Sequence, residues 1–570
     1  MRYYALACDY DGTLARHGQV QPETIAALER VRASGRRLLL VTGRQMEDLR
    51  GVFPRLDLFD RVVAENGALV YRPSDHTERT LGERPPESFL EALRNRGVSP
   101  LGVGRVIVAT WQPHETAVLD AIREQGLELQ VIFNKGAVMV LPSGVNKAAG
   151  LEAALADLGL SRHNAVGVGD AENDHAFLTH CECAVAVANA LPSVRERADL
   201  VTEEDHGAGV VELADRLLAT DLAELEGRLA RHEIPLGERD TGEPVRLRPY
   251  GMNVLLSGTS GSGKSTFATG ILERLADRQY QFCIIDPEGD YEQFEGAVVL
   301  GSSRRAPLVK EALELLEGPR RNCVINLLGV GLADRPAFFD QLFSALLELR
   351  TRTGRPHWMV IDETHHLLPS AWAPARLAVP ERVEGLLLIT VHPDHVARVV
   401  LESVDMIVAT GETPQETIRT FSETLGQPAP AVPSAPLGAG EAILWSRRPP
   451  GDPFWIRGAP PRGERLRHLR KYAEGELGED KSFYFRGPDG RLNLRAQNLV
   501  LFLQLADGVD DETFLYHLRR GDYSRWLRLA IKDDQIAGEV ERIERAGDQS
   551  AAESRARLRE VVEERYTSPA

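Results

Sequence analysis

The stretch MNVLLSGTSGSGKST, residues 252–266, leaves this chain few folds to choose from. Its apolar run reads as a buried strand, the glycines let successive backbone N–H groups turn toward one centre, and the lysine opens a helix. Gly258, Thr259, Ser260, Gly261, Ser262, Gly263, Lys264 and Ser265 fit G-x-x-x-x-G-K-S, with Thr266 following in the helix. Such a nest faces phosphate oxygens, with Lys264 reaching the outer phosphates of ATP and Ser265 suited to Mg²⁺. A strand, loop and helix of this kind belong in a parallel sheet with helices on both faces. About 100 residues later HWMVIDETHHLLP ends a second apolar run in Asp362 and Glu363. Asp362 suits the Mg²⁺ shell, and Glu363 is placed to polarise a water, which favours hydrolysis over transfer. His365 and His366 follow; adjacent helical residues point about 100° apart, so they are expected to pack or hydrogen-bond rather than share a metal.

The first half carries a different phosphate chemistry. DYDGTL, after the apolar YYALAC, sets Asp9 and Asp11 two residues apart, so both carboxylates leave the strand end on one side. One such carboxylate can attack phosphorus while the other handles the leaving group's proton. GDAENDHAFL adds Asp170 and Asp174, with Asn173 between them. Concentrated acid beside a phosphate calls for a divalent cation such as Mg²⁺. Thr42 and Arg44 of VTGR and Lys147 of VNKAAGL offer a hydroxyl and two cations to phosphate oxygens.

In that order, each after a strand-like run, DYDGTL, VTGR, NKAAGL and GDAENDHAFL resemble the four motifs of the haloacid dehalogenase superfamily, in its capped sugar-phosphatase-like branch. AENGALVY resembles the strand ahead of that branch's cap. The resemblance spans residues 1–215 and implies Asp9 as nucleophile through an aspartyl-phosphate, Asp11 as general acid and base, and Thr42 and Lys147 as phosphate ligands. It also implies Mg²⁺ held among Asp9, Asp11, Asp170 and Asp174, and a small phosphomonoester as substrate. Residues 235–448, with IPLGERDTGEPVRLRPYGMNVLLSG, IIDPEGDYE and IDETHHLLP, are similar to the HerA and FtsK class of ATPases. That likeness implies a homo-oligomer, a hexamer in that class, with an arginine supplied by a neighbour; Arg398, Arg419 and Arg447 are candidates. His392 falls where the class carries a polar sensor.

The expected architecture is α/β: a Rossmann-like domain over 1–215 with an inserted α+β cap at about 72–145, a helical connector at 216–240, and a P-loop parallel-sheet domain at 241–450. A small, mainly helical domain is expected at 451–570. With 570 residues, several cores are required. No apolar run approaches the ~20 residues of a membrane span, and the N-terminus enters a strand directly, so a cytoplasmic location is expected. Five scattered cysteines suit buried structural roles. A formal charge of −17 argues against coating nucleic acid electrostatically, leaving DNA to a local channel. LYHLRRGDYSRWLR, residues 515–528, interleaves aromatic and basic residues, and reads as an amphipathic helix pair with a solvated basic face. Two other functions are weighed: nucleic-acid end processing by kinase plus phosphatase, and a nucleotide-responsive assembly scaffold.

Overall fold

The computed structural model describes residues 1–259, 262–371, 383–434, 437–462, 477, 482–490, 492–531, 533–546 and 550–566. By contacts the chain divides into two units: Met1–Glu292 with Gly296–Ala459, and Pro460–Ala570 with Gln293–Glu295.

In the first unit, ALACD and RLLLV are near-continuous apolar runs, the pattern of strands covered on both faces. They become β1 (Ala5–Asp9) and β2 (Arg37–Val41), followed by β3 (Arg61–Ala64), β4 (Leu69–Arg72) and β5 (Thr77–Thr80). Four further strands, β6 (Gly102–Val103), β7 (Val108–Trp111), β8 (Leu129–Asn134) and β9 (Ala137–Pro142), form a separate antiparallel sheet in the order 6-7-9-8. With helices Glu87–Asn95 and Glu115–Gln125 they make an α+β layer having its own core of Phe89, Leu93, Val118 and Val140. The chain then returns to the first sheet as β10 (Ala165–Gly169), β11 (Cys183–Ala186) and β12 (Leu200–Val201). That sheet runs 12-11-10-1-2-3-4-5, parallel from β12 to β3 and antiparallel beyond. β5 therefore belongs to the core sheet, and the inserted layer lies between it and β10.

The second sheet has eleven strands. These are β13 (Ile234–Arg239), β14 (Pro244–Leu247), β15 (Val254–Gly258), β16 (Phe282–Asp286), β17 (Ala297–Leu300), β18 (Asn322–Asn326) and β19 (Trp358–Ile361), then β20 (Leu386–Thr390), β21 (Met406–Thr410), β22 (Glu441–Ser446) and β23 (Phe454–Gly458). Their order is 14-13-23-22-21-15-20-19-16-18-17. The seven strands from β21 to β17 are parallel, and the other four extend the sheet antiparallel. Among the described residues no helix is long and apolar enough to cross a membrane. All five cysteine thiols are buried.

The two sheets meet at the N-terminal ends of their strands. Tyr4, ahead of β1, donates its hydroxyl to the carbonyls of Arg350 (3.1 Å) and Thr351 (2.9 Å). Arg162 donates to the Arg278 carbonyl at 2.9 Å, and Arg355 to the Gly159 carbonyl. Between them lies a buried polar cluster. Glu182, just before β11, accepts from Arg2 (2.7 Å), His163 Nδ1 (2.7 Å) and Tyr280 (2.9 Å), the last just before β16. His163 also donates Nε2–H to the Arg278 carbonyl at 2.7 Å and stacks on Tyr280 at 3.7 Å. Burial alone would raise the Glu182 carboxyl, but His163, His232 and Arg2 outweigh it and hold it well below the usual carboxylate range. Glu182, His163 and His232 bring ligand atoms within 4.8 Å of one another, a spacing open to a metal. Yet Arg2 and Tyr280 already occupy the Glu182 oxygens, and Arg231 donates to His232 Nε2 at 2.8 Å, so the protein supplies the positive charge itself.

The second unit pairs strands Phe483–Phe485 and Leu494–Ala496 and packs helices Leu499–Gly508, Asp511–Arg519, Asp522–Trp526, Asp534–Arg545 and Ala551–Tyr566. Its core is aromatic: Phe483, Phe485, Phe502, Tyr523 and Trp526. In LYHLRRGDYSRWLR the rings of Tyr523 and Trp526 turn inward while Arg519, Arg520 and Arg525 are exposed, the arrangement of an amphipathic pair.

Candidate active sites

β1 ends in Asp9, β2 leads into Thr42, the helix Lys147–Asp157 begins with Lys147, and β10 leads into Asp170. Four separate strand and helix ends thus bring these side chains to the C-terminal edge of the first sheet, where open α/β folds hold ligands. Lys147 is 2 % exposed and its ammonium bridges Asp9 and Asp174 at 2.5 Å each. Asn146 caps its helix, accepting from Ala148 N and Ala149 N, which fixes where the lysine leaves the backbone. Asp174 turns its other oxygen to the backbone N–H groups of Asp170 and Ala171, both at 2.9 Å, and so shapes the loop carrying Asp170. Asn173 donates to Asn66 at 3.0 Å.

Asp9, Asp170 and Asp174 are buried, with oxygens within 4.8 Å of one another. Burial, then Asp174, push the Asp9 carboxyl up to about 8, against the pull of Lys147. Buried carboxylates so crowded demand cations, and hard oxygen donors of this number suit Mg²⁺. The loop of Gly12 lies close against this cluster: a Cβ there, at φ +91°, would stand 2.4 Å from Asp170 Oδ2.

Asp11 is paired with a cation of its own. Its carboxylate lies outside this cluster and accepts from Arg44 through both oxygens, at 2.6 and 2.7 Å. Arg44 also binds Asp48 at 2.5 Å. Two groups that each suit a phosphate site, of opposite sign and on neighbouring loops, pair with each other. Thr42 is fully buried, its hydroxyl accepting from Arg44 N at 3.1 Å.

Two residues absent from the sequence reading complete the site. Lys135, between β8 and β9, reaches Asp170 Oδ2 at 2.9 Å and the Asp11 carbonyl at 3.4 Å. Glu65, fully buried at φ +52°, accepts from the backbone N–H groups of Arg105 (2.8 Å), Val106 (2.8 Å) and Ile107 (3.0 Å), which fastens the inserted layer to the core. A lysine at a hairpin tip carries no motif. The glutamate stands inside AENGALVY, where its left-handed backbone breaks the strand pattern.

At the second sheet, β15 passes through Gly258 and Thr259 to Ser262 and Gly263, and the helix Lys264–Asp277 begins at Lys264. Ser260 and Gly261 lie outside the described residues. Lys264 donates to the carbonyls of Gly258 and Thr259, both at 2.9 Å. Burial lowers its pKa, while Glu363, Asp362 and Glu288 pull the other way, which places three acids around it. Ser262 shares a hydrogen bond with Thr410 at 2.7 Å; Ser265 is exposed in the helix's first turn, beside Thr266. Asp362 ends the β19 run, accepts from Glu363 N at 3.0 Å, and is pushed up to about 8 by burial. Glu363 holds φ +43°, a strained conformation of the kind that gathers at functional sites. Glu288 is set by Asp286, whose carboxylate accepts from the backbone N–H groups of Glu288, Gly289, Asp290 and Tyr291.

His365 and His366 touch at 4.1 Å between ring centres, and His365 meets His392 at 5.7 Å, so the pair packs beside Glu363. His365 Nδ1 is 3.1 Å from the Thr390 hydroxyl. Arg398 pairs with Glu402 and Arg419 with Glu416, while Arg447 donates to the carbonyls of Leu401 and Val404.

Residues 6–101 and 112–213 match the haloacid dehalogenase-like hydrolase family. The phosphoglycolate phosphatase of Methanothermobacter thermautotrophicus is 30% identical over 223 residues, covering 38% of this chain and 98% of that protein. The chain belongs to the haloacid dehalogenase-like hydrolases. The phosphoglycolate phosphatase of Halorubrum lacusprofundi is 33% identical over 230 residues, 38% of this chain and 98% of its own length. Phosphoglycolate phosphatase 2 of Saccharolobus solfataricus is 30% identical over 219 residues, 38% of this chain and 92% of its own. A solved haloacid dehalogenase-like hydrolase from Bacteroides thetaiotaomicron aligns with 38% of this chain and 99% of its own at 20% identity and a TM-score of 0.34. Residues 236–335 match the central domain of helicase HerA, so this hydrolase is a phosphatase fused to a HerA-like ATPase domain.

Proposed function

We propose that the first site hydrolyses a small acidic phosphomonoester, of the phosphoglycolate class that names its relatives, and that the second hydrolyses ATP. The observation that carries the first reading is the Lys147 ammonium bridging Asp9 and Asp174 at 2.5 Å. It holds Asp9 at the sheet edge with one oxygen engaged and the other available to attack phosphorus. Thr42 and Lys147 receive the phosphate oxygens. A phosphate competing for the Arg44 guanidinium releases Asp11 to protonate the leaving oxygen and then to deprotonate the water that opens the aspartyl-phosphate. Asp9, Asp170 and Asp174 would hold Mg²⁺, which when bound would offset the negative charge of phosphate and carboxylates together. Asp9→Asn removes the nucleophile, so phosphate release from phosphoglycolate should fall at least a thousandfold; activity retained in that variant rejects the reading.

At the second site, Asp362 and Ser265 hold the Mg²⁺ of ATP and Glu363 polarises the attacking water. Glu363→Gln should keep nucleotide binding and lose phosphate release. Labelled phosphate passed from ATP to a 5′-hydroxyl oligonucleotide would favour end processing instead. Homo-oligomer formation, action on DNA and a cytoplasmic setting are part of the proposal for the ATPase half, tested by solution mass with and without nucleotide and by salt-dependent DNA binding.

A further inference from the structure

Lys135 sits at a position that a lysine rarely takes. β8 and β9 pair from Leu129↔Pro142 to Asn134↔Ala137, leaving Lys135 and Gly136 as a two-residue turn at φ +49° and +86°. Positive φ at both turn positions is the mirror-type hairpin turn, which favours Asn, Asp or Gly at the first. A lysine there goes against local preference, which directs attention to what its side chain reaches. The two strands run six residues each, so the turn is a stiff arm with a cation at its tip.

That cation is delivered to the acidic cluster. Its ammonium is 2.9 Å from Asp170 Oδ2 and 3.4 Å from the Asp11 carbonyl, while its side chain remains half exposed. Arg94 and Arg96 of the inserted layer pair with its own Glu87 and Glu124, and Arg105 pairs with Glu78 of β5. With a divalent cation held among Asp9, Asp170 and Asp174, Lys135 would give up Asp170 Oδ2. Released from Asp170, its ammonium would stay tethered by the hairpin beside the same cluster, near the Asp11 carbonyl.

We propose that Lys135 recognises a second anionic group on the substrate, a carboxylate close to the phosphoester, and that it rests on Asp170 until the metal displaces it. This deepens the phosphatase reading and rests on it. A charge-assisted hydrogen bond of this kind discriminates about tenfold to a hundredfold between substrates that carry the group and those that lack it.

The test uses the full chain carrying Lys135→Asn, which suits the turn, and Lys135→Arg, which keeps the charge. Two readouts are taken: the ratio of kcat/KM for phosphoglycolate to that for phenyl phosphate, and Mn²⁺ affinity by electron paramagnetic resonance without substrate. The expected result is a ratio at least tenfold lower in Lys135→Asn and largely restored in Lys135→Arg, with Mn²⁺ bound several-fold more tightly by Lys135→Asn. A ratio within twofold of the native one, or an unchanged Mn²⁺ affinity, overturns the proposal. Retained activity in Asp9→Asn would instead reject the phosphatase reading, and the Mn²⁺ readout would still report where Lys135 rests.

Discussion

Tyr280, at the foot of the ATPase sheet, donates its hydroxyl to the Glu182 carboxylate, at the foot of the phosphatase sheet, across 2.9 Å and out of contact with water. Around this bond Arg2 and His163 complete the carboxylate's partners, so the two halves share one buried polar core.

Removing part of that core should destabilise both halves at once. Tyr280→Phe loses one hydrogen bond to a charged group, about 1.5–3 kcal/mol. Glu182→Gln leaves buried Arg2 facing a neutral amide and should cost about 3–5 kcal/mol. Urea denaturation followed separately by phosphatase activity and by nucleotide binding should show the two losses moving together.

Acid should loosen the same junction. Burial lowers His232 to about 4 and His357 well below the usual imidazole range. Each ring therefore takes up a proton more readily in the unfolded chain, whose histidines titrate near ~6.5. Stability from this source is complete above that pH and declines as pH falls toward about 4, with a limiting slope of about 1.4 kcal/mol per pH unit for each ring. Replacing His232 by Gln should reduce the slope of unfolding free energy against pH between those limits.

Gly12→Ala should separate metal binding from folding. The new methyl would meet Asp170 Oδ2 at 2.4 Å and force an alanine to φ +91°. A stability loss of about 1–2 kcal/mol is expected from the backbone, together with a loss of at least tenfold in Mn²⁺ affinity as Asp170 is pushed aside. Calorimetric titration of Mn²⁺ alongside a denaturation curve distinguishes the two effects.

Glu65→Ala should free the inserted layer. Three backbone N–H groups lose their shared acceptor, at about 1–3 kcal/mol for each one left buried and unpaired. Phosphatase kcat/KM should drop more than tenfold, and limited proteolysis should open the chain between β5 and the helix Glu87–Asn95 before the core is cut.

Asp9, Thr42, Lys147, Asp170 and Lys264 were legible because each closes an apolar run or opens a helix, so periodicity alone sends it to a sheet edge. Asp11 and Arg44 were legible as charges but not as partners, since their pairing depends on two loops meeting in space. IPLGER reads as the end of the connector at 216–240 because proline, glycine and charge mask the alternation; as β13, paired with β14, it extends the sheet. Tyr280 and Glu182 carry no motif and lie 98 positions apart, so nothing in the chain announces that they bond. Lys135 was hidden for a related reason: a hairpin's reach is a property of the body it is mounted on.

The junction at the strands' N-terminal ends sets the terms on which two catalysts live in one chain. Asp9 ends β1 and Lys264 follows β15, so each site lies at the strand ends away from the junction. The fusion joins the two sites in one polypeptide. It fixes a dose of one phosphatase per ATPase, and it makes the floor of one domain the floor of the other. The feet of β1, β10 and β11 rest at this junction, and Asp9 and Asp170 stand at the far ends of β1 and β10.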